Sequence, residues 1–151
     1  MRNESEMTVI ETAGPEETRA LGLRFGREAQ PGLVIALSGD LGAGKTVFAK
    51  GFAEGLGITA PVTSPTFTLM QIYEGGRIPL CHMDAYRLEE ESELEAVGGH
   101  EYFGGDGAVL VEWPEMVEGL LPEDTVRIRI ERIPEKGGDA RRILIKGGTP
   151  G

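Results

Sequence analysis

The stretch Leu37–Val47, LSGDLGAGKTV, sets Gly39, Gly44, Lys45 and Thr46 at the spacing G-x-x-x-x-G-K-[ST], with Gly42 as a further glycine inside it. Residues without a Cβ let backbone N–H groups close around a bulky anion. A helix beginning just after the last glycine would aim its own free N–H groups and partial positive charge at the same point. The ligand that suits such a loop is a nucleoside polyphosphate. Lys45 would reach its β- and γ-phosphates, and the Thr46 hydroxyl would sit on Mg²⁺. The candidate cradle is Asp40, Leu41, Gly42, Ala43, Gly44, Lys45, Thr46 and Val47.

Phosphate chemistry also needs a carboxylate near the metal and a group that positions the nucleophile. Parallel strands present such groups at their C-terminal ends, where the loop also lies. Two acids fit. Asp84 ends an apolar-leaning strand in PLCHMDAYRL; its alternative is a turn or helix-cap aspartate. Glu112 sits in AVLVEWPE, where burying a carboxylate is costly without a cation or partner; its alternative is an exposed glutamate on an edge strand. Lys45, Asp84 and Glu112 form the candidate catalytic set, and Thr46, Asp84 and Glu112 the candidate metal set.

Other residues carry weaker signals. His82 precedes Asp84 by two and shares its strand face; a hydrogen-bonded core histidine is the plainer reading. Cys81 points the other way, into a core. The loop Thr63–Phe67, TSPTF, offers Ser64 and Thr66 as hydroxyls for a switch-like contact with metal and γ-phosphate, although Ser-Pro is also an ordinary turn. Arg87 is either an arginine finger or the partner of the acidic run Glu89–Glu95. Trp113 is a core anchor, an interface residue or a nucleotide contact.

These residues need elements to hold them. LVIAL (Leu33–Leu37) is a short continuous apolar run, as in a buried parallel strand. KTVFAKGFAEGL spaces Val47, Phe48, Gly51, Phe52 and Leu56 as a helix, with Gly57 as its stop. MTVIET reads as a strand. GPEETRALGLRFGREA reads as a helix with Pro15 near its start, weakened by Gly22 and Gly26. TLMQIYEGGRIPLCHMDAY suggests two strands joined at residues 74–77. LEEESELEAVG reads as an acidic helix, AVLVEW as a strand and PEMVEGLL as a short helix. TVRIRIERI and RRILIKG read as a closing antiparallel pair. Alternating strands and helices predict an α/β, P-loop NTPase-like three-layer sandwich, with a mainly parallel central sheet and antiparallel C-terminal strands. The 151 residues fit a single domain over 1–151, with 1–6 and 147–151 as flexible tails.

Composition narrows the function. The chain carries 15 basic and 25 acidic residues, a net charge of −10, so strong nucleic-acid binding by the chain alone is not expected. Arg127 to Lys146 is locally basic, with seven basic and three acidic residues. Arg127, Arg129 and Glu131 alternate with Val126, Ile128 and Ile130, which reads as a solvated strand face; the other reading is a docking surface for RNA or a protein. One cysteine excludes an internal disulfide framework. No apolar run is long enough to span a membrane, and MRNESEMTVIE lacks the apolar core of a signal peptide. A cytoplasmic protein is expected.

Taken together, GDLGAGKT, SPTF, HMDAYRL and VEWPE occur in this order, and from about Glu11 to Ile133 the chain resembles the TsaE (YjeE) family. The resemblance implies a P-loop ATPase needed for threonylcarbamoyladenosine modification of bacterial tRNA. It implies Walker A roles for Lys45 and Thr46, and a switch-like role for Thr63–Phe67, with Thr66 added to the nucleotide-binding set. It further implies a Walker B-like role for Asp84, a second metal-side acid in Glu112, and Trp113 at the mouth of the site. It implies Mg-dependent ATP hydrolysis that is weak alone and stimulated within a complex of the threonylcarbamoyl transferase TsaD and its companion TsaB, with tRNA met through that complex. Val47 stands where many members have a second threonine, and the segment after Pro134 carries no usable motif.

The residues leave two alternatives open. One is a small-molecule kinase; Arg77 and Arg87 are the only arginines between Lys50 and Val126, too few for an arginine-rich lid. The other is a nucleotide-binding scaffold without turnover. A guanine-specific switch would need Asn-Lys-x-Asp, which is absent, so ATP is the expected nucleotide.

Overall fold

The computed structural model describes residues 7–39, 43–62, 70–85 and 99–147. Seven strands form one sheet: β1 (Met7–Thr12), β2 (Val34–Gly39), β3 (Met70–Tyr73), β4 (Leu80–Asp84), β5 (Ala108–Glu112), β6 (Val126–Arg132) and β7 (Arg141–Lys146). Their spatial order is β1-β7-β6-β2-β5-β4-β3. The middle of the sheet is parallel: β2 pairs with both β5 and β6, and β4 pairs with β5. Both flanks are antiparallel, through β6–β7–β1 on one side and β3–β4 on the other. The fold is the α/β sandwich that the alternation of elements predicts. The C-terminal strands are less peripheral than that pattern suggests: β6 runs parallel to β2, and β1 takes the outer edge beyond β7.

Two helices cover one face, α1 (Pro15–Glu28) and α2 (Lys45–Gly55). Leu21 and Phe25 of α1, and Phe48 and Phe52 of α2, share a core with Ile35, Leu37, Leu80, Leu110, Ile128, Ile143 and Ile145 of the sheet. The opposite face gathers Val34, Cys81, Met83, Val109 and Val111 under Val117, Trp113, Leu120 and Leu121. The segment Pro114–Leu120 that covers this second core is 3-10 rather than α-helical, with Val117 off helical geometry at φ −129°. Seven residues with a glycine at position 119 cannot sustain α-helix on propensity alone, and packing of Val117 into the core sets the turn instead.

Gly22 and Gly26 count against a helix locally, yet α1 runs through both. The reason lies in α2. A Cβ on Gly22 would stand 2.3 Å from the Phe48 carbonyl oxygen, and one on Gly26 would stand 2.2 Å from that of Phe52. The reciprocal positions on α2 are also glycine, with Gly51 facing Arg19 and Gly55 facing Leu23. The helices therefore meet backbone to backbone, with glycine where larger side chains would hold them apart. This contact positions α2 against α1.

Among the described residues no helix is long and apolar enough to cross a membrane. The strand alternation of Arg127 and Arg129 is observed, and their charges are engaged within the chain: Arg127 pairs with Glu118, and Arg129 with Glu131 at 3.1 Å. The acidic helix expected over 88–98 lies outside the described residues.

Candidate functional site

The site is assembled where β2, β4 and β5 end. Strand β2 leads into the glycine-rich loop. At its last residue, Gly39, φ is +143° and a Cβ would lie 2.4 Å from the Ile130 carbonyl oxygen, so conformation and space both require glycine. Gly44, at φ +116°, is the N-cap of α2. Asp40, Leu41 and Gly42 lie outside the described residues, as do Ser64, Thr66 and Arg87.

The two helix N-termini differ in a way that bears on a ligand. Helix α1 begins with Glu16 and Glu17, and Glu17 accepts a hydrogen bond from the Ala13 N–H at 3.1 Å. Its own carboxylates answer its dipole. Helix α2 has no acidic residue in its first turn and no side-chain cap at Gly44. The positive end of its dipole is not answered by a carboxylate of its own first turn and suits an anion from outside the helix. The residues present thus fit a polyphosphate. Lys45 is the first residue of α2, only 5% exposed, and its ammonium sits 3.7 Å from the centroid of the Trp113 ring. Thr46 follows with its side chain exposed, and Ala43 is buried behind the loop.

The candidate acids arrive from adjacent strands. Asp84 and Glu112 are register partners on β4 and β5, and Leu37 of β2 is the partner of Glu112 on the other side. By strand alternation both acids share the face of Leu80 and Leu110, the face that α2 covers. The edge-strand reading of Glu112 does not hold: β5 lies between β2 and β4, and Glu112 is 4% exposed. Asp84 is half-buried at the end of β4. Among the described residues no three His, Cys, Asp or Glu side chains converge as a metal cage. One or two carboxylates, a threonine hydroxyl and the phosphates themselves form the set that Mg²⁺ commonly uses, and Thr46, Asp84 and Glu112 fit that pattern by residue type.

Three relationships are new at the level of structure. His82 is a buried, hydrogen-bonded histidine, and its partner is Glu112: Nε2 lies 2.6 Å from Oε2. Trp113 is the only described non-glycine residue with positive φ, at +57°. That left-handed turn directly after β5 carries its ring to Lys45. Arg141 of β7 reaches the loop from the far side of the chain, its Nε donating to the Ala43 carbonyl at 2.7 Å. Separation of 98 residues leaves no local signal for this last contact. Arg77 is accounted for otherwise: its guanidinium donates to the carbonyls of Gly26, Arg27 and Ala29 at the end of α1, as a basic side chain at a helix C-terminus does.

A parallel-centred α/β sheet with a glycine loop feeding a buried-lysine helix, and acids on the neighbouring strand ends, defines a protein of the P-loop-like fold class. The family model for "Threonylcarbamoyl adenosine biosynthesis protein TsaE" matches residues 12–143. The chain belongs to the TsaE family. It is 52% identical over 132 residues to the tRNA threonylcarbamoyladenosine biosynthesis protein TsaE of Bacillus subtilis, covering 87% of this chain and 80% of the relative. It is 45% identical over 115 residues to the TsaE protein of Treponema pallidum, covering 76% of this chain and 84% of the relative. The crystal structure of Bacillus subtilis YdiB superposes with a TM-score of 0.79 at 43% identity, over 97% of this chain and 87% of that one.

Proposed function

We propose that this chain is the ATP-binding and hydrolysing component of the tRNA threonylcarbamoyladenosine machinery, acting in the cytoplasm and gating or resetting a complex with the transferase TsaD and its companion TsaB. Membership of the TsaE family supports the pathway. One arrangement supports the chemistry: α2, without a first-turn carboxylate or side-chain cap of its own, opens with Lys45, whose ammonium touches Trp113, the residue after Glu112, and Glu112 is the register partner of Asp84.

In this reading the N–H groups at the start of α2 bind the phosphates of ATP and Lys45 neutralises the β- and γ-oxygens. Thr46, Asp84 and Glu112 would hold Mg²⁺, which when bound neutralises charge on the phosphates. Glu112, held by His82, orients the attacking water, so the γ-phosphate goes to water. A lid-type kinase is disfavoured because Arg77 is committed to the carbonyls of α1.

Phosphate release from Mg-ATP by the purified chain, alone and with the transferase pair, tests the proposal. A slow rate that rises with the pair and vanishes in Lys45→Ala is expected. ATP binding without release in either condition would leave a scaffold or a kinase awaiting its acceptor.

A further inference from the structure

We propose that Arg141 is a positioning residue of the phosphate loop, one that sets the direction of the Gly44 N–H. The inference rests on the nucleotide-binding reading above. Arg141 opens β7 and shares the helix-covered face with Ile143 and Ile145. Its Nε donates to the Ala43 carbonyl oxygen at 2.7 Å. One Nη donates to the carbonyls of Gly138 at 2.7 Å and Ala140 at 2.8 Å. These two bonds lock the guanidinium to the turn between β6 and β7, so the third is made from a fixed support.

The consequence follows from peptide geometry. Across a trans peptide bond the C=O of one residue and the N–H of the next point in opposite directions and turn together as one plane. Holding the Ala43 oxygen toward Arg141 turns the Gly44 N–H away from it. Gly44, with φ +116° and no Cβ, has more freedom to swing than any substituted residue. In a loop that binds phosphate through N–H groups, a peptide facing the wrong way presents a carbonyl oxygen to an anion. Arg141 removes that alternative before ligand arrives, which lowers the cost of ordering the loop on binding. Its Nε and one Nη are engaged by carbonyl groups, and through the first of these it acts on the loop rather than on the transferred phosphate.

The test is calorimetric titration with Mg-ATP, and separately with inorganic pyrophosphate, of the unsubstituted chain, Arg141→Ala, Arg141→Lys and Arg142→Ala. Arg142 lies next in sequence on the opposite face of β7, near Glu135. Arg141→Ala is expected to weaken both ligands by about tenfold, the scale of one lost charge-assisted hydrogen bond. Arg141→Lys is expected to fall between, and Arg142→Ala to bind as the unsubstituted chain does. The amide of Gly44 should also exchange faster in Arg141→Ala without ligand, while the urea midpoint stays within reach of the parent. Unchanged affinity and exchange in Arg141→Ala, with the parent binding normally, would overturn this inference alone. Failure of the parent to bind either ligand would overturn the nucleotide reading and this inference with it. Affinity lost only in step with global stability would make Arg141 merely structural, and would overturn the positioning role.

Discussion

The ammonium of Lys45 rests 3.7 Å from the centroid of the Trp113 ring, so the first residue of α2 and the chain's single tryptophan share one contact. Trp113 takes a left-handed backbone to make it, a conformation costing roughly 1–2 kcal/mol for a residue with a Cβ. A cation over an indole face returns about 0.5–2 kcal/mol. A polyphosphate offers the same ammonium full negative charge and hydrogen bonds, and would draw it from the ring. Tryptophan emission should therefore change saturably as Mg-ATP is added, and Lys45→Ala should abolish the change. Calorimetric binding with an unaltered emission spectrum would mean that Lys45 stays on the ring.

His82 and Glu112 are both buried, at 1% and 4% exposure, and their 2.6 Å contact crosses from β4 to β5. Removing one partner leaves the other without its bond in a dry setting. His82→Ala should cost about 1.5–3 kcal/mol in urea unfolding, the range for hydrogen bonds to charged groups. Glu112→Gln should cost less, because the amide can still bond Nε2, yet should slow single-turnover phosphate release by about a hundredfold or more. Release at the parent rate in Glu112→Gln would remove Glu112 from the positioning of water.

How much of this could be read from the chain depends on the range of the interaction. Strands β2 and β5 announce themselves as continuous apolar runs because both their faces are covered, and β6 announces itself by alternation because one of its faces is not. Asp84 and Glu112 are legible as acids ending such runs. Their neighbours are not. That His82 reaches Glu112 follows from β4 lying beside β5, and strand order is not written in local pattern. That Trp113 reaches Lys45, and Arg141 reaches Ala43, needs the same global information. Gly22 and Gly26 mislead for the same reason: their cost is local, and their benefit is the approach of α2.

The helix crossing gives a prediction of opposite sign to helix propensity. Gly51→Ala would gain up to about 1 kcal/mol in an isolated helix. Here its Cβ would lie 2.0 Å from the Arg19 carbonyl oxygen, against backbone that cannot rotate away. Overpacking of this kind costs about 1–3 kcal/mol, so the urea midpoint should fall. Gly105→Ala, whose nearest neighbour would stand 3.5 Å away, should change stability by no more than about 0.5 kcal/mol. A rise in midpoint for Gly51→Ala would show that α1 and α2 can separate freely.

Cys81 is 3% exposed on the second core, and burial pushes its thiol up from 9.0 to about 12. Below pH 9 the thiol is protonated in folded and unfolded chains alike and contributes no pH dependence. Between pH 9 and about 12 only the unfolded chain ionises, so stability falls as pH rises through that window. At pH 8 the same shift leaves roughly a thousandfold fewer thiolates in the folded chain than in the unfolded one. Labelling with an aromatic disulfide should then be slow in buffer and fast above the urea midpoint, tracking unfolding. A cavity of about 350 Å³ borders Cys81, lined by Ile72, Pro79, Tyr102, Asp106 and Val109 among others. Labelling at free-thiol speed in the absence of urea would mean that this cavity opens to Cys81 in the folded protein, and that the thiol is not held in the apolar setting that raises it.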